Sequence, residues 1–201
     1  MEGALRTPPS EKTMQQDPDH SLQSRLTAVE DRLAISELLA RYCFCIDNRD
    51  LTGVGALFTE NARFATLDSS RNAIGRDAIV SGFRQRYIVL GATNHIVHHH
   101  TIDFDGPARA RGEVSSHAEV WRHEQAQLAA LRYLDTYEKD GGVWRFAERI
   151  QTFMYYVPIN RYAEMLGQLK RNLSGEKPKA ADFPERLPTY VEHRRPQRNQ
   201  T

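Results

Sequence analysis

The sequence divides into a helical first half and a β-rich second half, and this division limits the possible folds more than any other feature. Four long runs of β-type residues, Thr93 to Phe104, Arg111 to Arg122, Gln127 to Glu138 and Val143 to Val157, follow one another with only short polar breaks. Asp105-Gly106-Pro107 and Asp140-Gly141-Gly142 are strong turn signals between them. Consecutive strands joined by tight turns predict an antiparallel meander. Upstream, Leu22 to Ile46 predicts one amphipathic helix, with Ser21 or Ser24 as its cap. Ile35, Leu38, Leu39, Tyr42 and Ile46 recur at three- and four-residue steps and make one apolar stripe. Asn48 ends that helix, and Asp50 caps a short second one through Leu57 and Phe58. Ala62 to Leu67 reads as a short strand, Gly75-Arg76-Asp77-Ala78-Ile79 opens a third helix to about Tyr87, and Tyr162 to Lys170 adds a terminal helix. Helices first and strands afterwards give the α+β class, with the helices packed on one face of the sheet.

A chain of 201 residues fits one domain with tails. Residues 1–20, with Pro8, Pro9 and Pro18 and no periodicity, read as a disordered tail. Residues 21–170 hold the folded domain, and residues 171–201 read as a polar tail, loose from Pro178 and basic at Arg194, Arg195 and Arg198. A net charge of +1 gives no reason to expect nucleic acid or a membrane surface as partner. No run of about 18 apolar residues is present, so no membrane span is expected. The first residues lack the apolar stretch of a secretory signal. The only two cysteines, Cys43 and Cys45, sit two apart on one helix, where they face different directions and read as reduced thiols. Together these features point to a cytoplasmic protein.

Asp47 is the residue that fits its local structure least. A carboxylate past the last turn of a helix faces the partial negative end, which costs about 0.3–1 kcal/mol when exposed. Some fifty residues later, a strand carries Asn94-His95-Ile96-Val97-His98-His99-His100. An Asp at a helix end and a His on a facing strand can pair so that the Asp orients the imidazole and the imidazole moves a proton. Each residue also has a plainer reading. Asp47 can solvate a helix–loop junction, and His95 can be a half-buried hydrogen-bonded residue. Strict alternation would put His95 and His99 on one face and His98 and His100 on the other. His-x-His spacing can ligate a metal, but no third ligand stands at a compelling spacing, so no metal or other cofactor is expected.

Several separate pieces resemble the SnoaL-like branch of the nuclear-transport-factor-2-like superfamily. They are Ile35-Ser36-Glu37-Leu38-Leu39-Ala40-Arg41-Tyr42 with Ile46-Asp47; Leu57-Phe58-Thr59-Glu60-Asn61-Ala62-Arg63-Phe64; Gly75-Arg76-Asp77-Ala78-Ile79; Thr93-Asn94-His95; and Tyr137 through Phe146. The resemblance covers about residues 25–165 and implies a cone-shaped α+β barrel, its curved antiparallel sheet wrapped around N-terminal helices. Three lyases of that branch are most similar: scytalone dehydratase, bile-acid 7α-dehydratase and hexachlorocyclohexane dehydrochlorinase. All use an Asp–His pair, and Asp47 and His95 fall on those positions. Arg149, five residues after Trp144, matches an Arg of the dehydrochlorinase, and Tyr42 matches a catalytic Tyr of the bile-acid enzyme. The dehydrochlorinase has a Lys at the position of Tyr42 and a pocket Trp at that of Phe64, which argues against a halogenated substrate. His117 is the candidate for the second His of scytalone dehydratase. The resemblance also implies a homo-oligomer, with a trimer favoured and a dimer possible.

These residues suit a cofactor-independent β-elimination on a cyclic or polycyclic apolar molecule. His95 would abstract a carbon-bound proton and Asp47 would fix its tautomer. Tyr42 would donate to a departing hydroxyl, and Arg149 would stabilise the negative charge that develops. Phe64, Phe83, Tyr87, Phe153 and Tyr155, with His117, would line the pocket. An isomerase or cyclase on the same scaffold and a non-catalytic binding module are the alternatives.

Overall fold

The computed structural model describes residues 18–175 and 177–193. The expected disordered tail therefore lies outside the described residues up to position 17. The helix α1 (Pro18–Asp47) begins three residues before the expected domain boundary, and Ser21 and Ser24 lie inside it rather than capping it. Ile35, Leu38, Leu39, Tyr42 and Ile46 are all buried, so the 3.6-residue period was read correctly. The first four turns of α1 have a different character. Leu22, Leu26, Val29 and Leu33 follow one another at four-three-four spacing, and each is more than half exposed.

Asp50 caps α2 (Leu51–Ala56) by accepting a hydrogen bond from the Gly53 N–H at 2.8 Å. That helix stops before Leu57. Phe58, expected to be helical, instead opens β1 (Phe58–Thr66), which starts four residues earlier than expected. A three-residue strand, β2 (Asn72–Ile74), pairs with it and carries no alternation long enough to be read from sequence. The third helix, α3 (Arg76–Val89), leads directly into the meander of β3 (Leu90–Phe104), β4 (Arg109–Arg122), β5 (Gln125–Asp140) and β6 (Val143–Pro158).

All six strands form one sheet in the order β2-β1-β6-β5-β4-β3, antiparallel except for the β1–β6 pair. The sheet curls without closing, because β2 and β3 are its two edges. Its concave face receives the stripe of α1, with Val114, Leu131, Tyr133, Tyr137, Phe146 and Phe153 on the sheet side of the core. Burying each such large apolar side chain contributes about 1.5–3 kcal/mol. One polar tie anchors α1 across this core. Asp31 accepts from the Trp144 indole N–H at 2.8 Å and from Lys139 at 2.7 Å. The fold is the expected α+β cone.

The segment after β6 differs from expectation. A 3₁₀ turn (Ile159–Arg161) and a single-turn helix, α4 (Tyr162–Met165), replace the longer terminal helix expected to reach Lys170. The chain beyond it is a strap packed on the sheet, not a loose polar tail. The Tyr156 N–H donates to Arg171 O and the Leu173 N–H to Tyr156 O, both at 2.9 Å. Asp182 accepts from the Phe153 N–H at 2.8 Å. The strap thus pairs with the stretch of β6 that β1, ending at Thr66, leaves uncovered. Unpaired strand groups buried without water are costly, which gives this polar segment a reason to dock. It ends in α5 (Pro188–His193).

Candidate active site

Asp47 and His95 meet. The end of α1 lies against β3, and the His95 Nδ1 stands 2.6 Å from Asp47 Oδ1. The same carboxylate accepts from the His95 backbone N–H through Oδ2 and from the Thr93 hydroxyl through Oδ1, both at 2.7 Å. Three donors thus converge on one carboxylate. Burial pushes the Asp47 pKa up, but the His95 ring, its backbone N–H and Thr93 outweigh burial and hold it below the ordinary carboxylate range. An ionised carboxylate only accepts, so Nδ1 carries the proton and Nε2 is left as the base. The side chains keep 12% (His95) and 18% (Asp47) of their exposure, so the pair is recessed but not sealed. Thr93 was not singled out as a site residue, although it sits two residues before His95, on the same face of the strand.

A second tie holds the same junction. Arg49, just past the helix end, adopts φ 57° and donates to the carbonyl oxygens of Leu90 at 2.7 Å and Gly91 at 3.1 Å. Its guanidinium also lies 5.6 Å from the centre of the Tyr87 ring.

Arg149 is not the free cation expected there. It is 0% exposed and forms a bidentate pair with Asp135, Nε–Oδ1 at 2.9 Å and Nη2–Oδ2 at 2.8 Å. Its guanidinium is caged by the rings of Tyr42, Tyr133 and Phe146 at 4.1, 3.9 and 4.1 Å. Burial raises the Asp135 carboxyl against the pull of Arg149, and Asp135 in turn raises Arg149; the two-pronged contact to a guanidinium that keeps its proton makes this an ion pair. Nη1 is buried and has no partner among the described residues. Tyr42 shares the cage, edge-on to Phe58, Phe83, Tyr133 and Phe146. Burial and neighbouring Tyr133 raise its pKa well above the usual value, so its hydroxyl stays protonated.

The aromatic residues separate by face. Phe64 and Phe83 line an apolar hollow of about 290 Å³ beneath α3, together with Ile79, Gly82, Arg71 and Arg86. Tyr87 packs on Phe83, with ring centres 6.3 Å apart. Burial raises the pKa of the Tyr87 hydroxyl, which has no partner among the described residues. Neither Tyr87 nor His95 itself lines the hollow. Phe153 also faces the concave core, but it borders a separate cleft under the strap.

Tyr155 and His117 are on the other side of the sheet, and neither lines the concave face. A register shift between Ala130 and Leu131 places Phe153 and Tyr156 inward and Tyr155 outward, against Met165 and Tyr162. His117 pairs in register with Ala130 on that outer face. There it contacts the Tyr155 hydroxyl at 3.1 Å and His98 at 2.7 Å. His98 is outward, as alternation from His95 predicts, but a bulge between Val97 and His100 breaks the alternation and brings His100 onto the inner face, opposite Val114. His100 instead lies 2.9 Å from the Ser36 hydroxyl of α1. No group of three or more metal-ligating side chains occurs among the described residues.

Comparison with known proteins agrees with this architecture. A candidate scytalone dehydratase from Novosphingobium aromaticivorans superposes with a TM-score of 0.62 at 22% identity, over 66% of this chain and 89% of its own. A hexachlorocyclohexane dehydrochlorinase from Novosphingobium barchaimii gives 0.63 at 18% identity, over 67% and 94%. A Mycobacterium tuberculosis protein of unknown function gives 0.56 at 26% identity, over 61% and 76%. No curated protein matches the chain by sequence. Residues 27–150, more than half of the chain, match the SnoaL-like domain, and the chain belongs to that family.

Proposed function

We propose that the protein is a cofactor-independent lyase that carries out a dehydratase-like β-elimination on a cyclic, largely apolar small molecule. The observation that carries this reading is the carboxylate–imidazole pair, His95 Nδ1 against Asp47 Oδ1 at 2.6 Å, which leaves Nε2 to face a substrate. Nε2 takes the carbon-bound proton, and the electrons of that C–H bond form the new C=C bond as the C–O bond to the leaving hydroxyl breaks. The departing hydroxide takes that proton back from the imidazolium and leaves as water, which returns His95 to its starting form. Asp47 stabilises the imidazolium while it exists. Tyr42 and the unpaired Tyr87 hydroxyl are the donors assigned to the substrate oxygens, and Nη1 of Arg149 adds positive potential from beneath. Phe64, Phe83 and Tyr87 hold the ring.

The test is conversion of hydroxylated cyclic ketones by wild type and His95→Ala, followed by mass spectrometry. Product lighter by one water, formed by wild type and lost in His95→Ala, supports elimination. Product of unchanged mass assigns the pair to isomerisation, and equal turnover by both proteins removes His95 from the mechanism. We also propose that the protein is a homo-oligomer that covers the Leu22, Leu26, Val29 and Leu33 stripe of α1. Light scattering after size exclusion should give a multiple of the 23.0 kDa chain mass. A monomer for both wild type and Leu26→Glu would refute it.

A further inference from the structure

Three arginines that are distant in sequence converge on one small cavity. Arg71 comes from the turn between β1 and β2, Arg86 from the last turn of α3 and Arg122 from the end of β4. They line a cavity of about 140 Å³ together with Leu90 and Tyr156. Arg71 and Arg86 also line the apolar hollow, so the two spaces share a wall.

These half-buried arginines differ from the two that are fully buried. Arg149 is matched by Asp135, and Arg171 by Glu185. Among the described residues, no carboxylate forms an ion pair with Arg71, Arg86 or Arg122. The groups that act on Arg71 are Arg86 and Arg122, which repel it, and the hydroxyls of Tyr42 and Tyr156. Burial, reinforced by its two guanidinium neighbours, pushes Arg71 down to about 10. Arg122 holds a carbonyl, Ser174 O at 2.8 Å, and no acid. Gathering like charges in a partly desolvated hollow is unfavourable unless an anion neutralises them.

We propose that Arg71, Arg86 and Arg122 form a subsite for an anionic group, a carboxylate or a phosphate, on the molecule whose apolar body fills the neighbouring hollow. Guanidinium forks match the paired oxygens of either group. The inference rests on the reading of the concave face as a substrate chamber, and it specifies the substrate as an amphipathic anion rather than a neutral apolar ring. Distance fits this assignment. His95, Ala118, Ala129 and Tyr156 stand on one cross-strand row of the sheet. Three inter-strand steps separate His95 from Tyr156, at most about 14 Å between backbones.

The test is calorimetric binding of three probes with the same body: 2-naphthoate, 2-naphthyl phosphate and neutral 2-naphthalenemethanol. At low salt an anionic probe should bind at least tenfold tighter than the alcohol, with the margin shrinking as salt rises. Arg86→Gln and Arg122→Gln should each shrink that margin severalfold. Arg86→Lys should retain part of it, and His95→Ala all of it. The better anionic probe identifies the head group as carboxylate or phosphate. Equal affinity for charged and neutral probes, or a margin unchanged in both glutamine variants, overturns the proposal. Binding does not depend on turnover, so the two readings can fail separately. Turnover without charge preference removes only the subsite, and charge preference without elimination removes only the lyase.

Discussion

Asp135 and Asp47 are both ionised carboxylates on the concave side of one sheet, each gripped by a nitrogen cation or base, yet one is sealed and the other open on one side. Asp135 meets a guanidinium that cannot lose its proton, inside a cage of rings with no exposure. Asp47 meets an imidazole that can lose and regain one, and that pair keeps some access to the concave space. The first arrangement cannot move a proton. The second can cycle a proton, and this contrast carries the assignment of catalysis to Asp47 and His95 and of support to Arg149.

The contrast breaks most visibly at Asp135. Asp135→Ala strands a buried guanidinium and should cost about 3–5 kcal/mol of stability, read as a large fall in the chemical denaturation midpoint. Retention of full stability would mean that the cage tolerates an uncompensated charge. Asp47→Asn should do the opposite. Turnover should fall about 10³-fold or more, because one amide oxygen cannot serve three donors and the imidazole tautomer is freed, while stability drops by only about 2 kcal/mol. The acid limb sharpens the difference. The folded pKa of Asp47 is depressed, so its stabilisation is complete above the unfolded value near about 4 and is lost as pH falls through the lower folded value. Denaturation midpoints of wild type and Asp47→Asn should converge towards low pH. A gap that stays constant down to strong acid would show that the carboxylate charge adds nothing. The smallest effect belongs to the outer face, where His117→Ala should change turnover less than about twofold. A large loss there would return His117 to the reaction.

Local chemistry made much of the fold legible. The stripe from Ile35 to Ile46 and the Asp50 cap are short-range patterns, and the turns at Asp105-Gly106 and Asp140-Gly141 are fixed by a few residues each. The pairing of Asp47 with His95 was suggested by the ill-placed carboxylate and the histidine-bearing strand and singled out by resemblance, since nothing local connects positions 48 residues apart. What escaped depends on how strands pair. A bulge at His98 and His99 and a register shift opposite Tyr155 each reverse the face of a side chain, and a period of two assumed without interruption misplaces everything that depends on it. The strap after residue 170 escaped because polar composition reports solvation and not the vacant edge of β6 that it fills. Arg71, Arg86 and Arg122 escaped because each looks like an ordinary surface residue until three elements bring them together.

The conformation of Arg49 has a mechanical consequence. An L-residue at φ 57° is held there against its own preference, and its guanidinium clamps the first two carbonyls of β3. Helix end and strand are thereby locked together independently of the Asp47–His95 bond. The imidazole is aimed before any ligand arrives, so little reorganisation energy remains to be supplied when the proton moves.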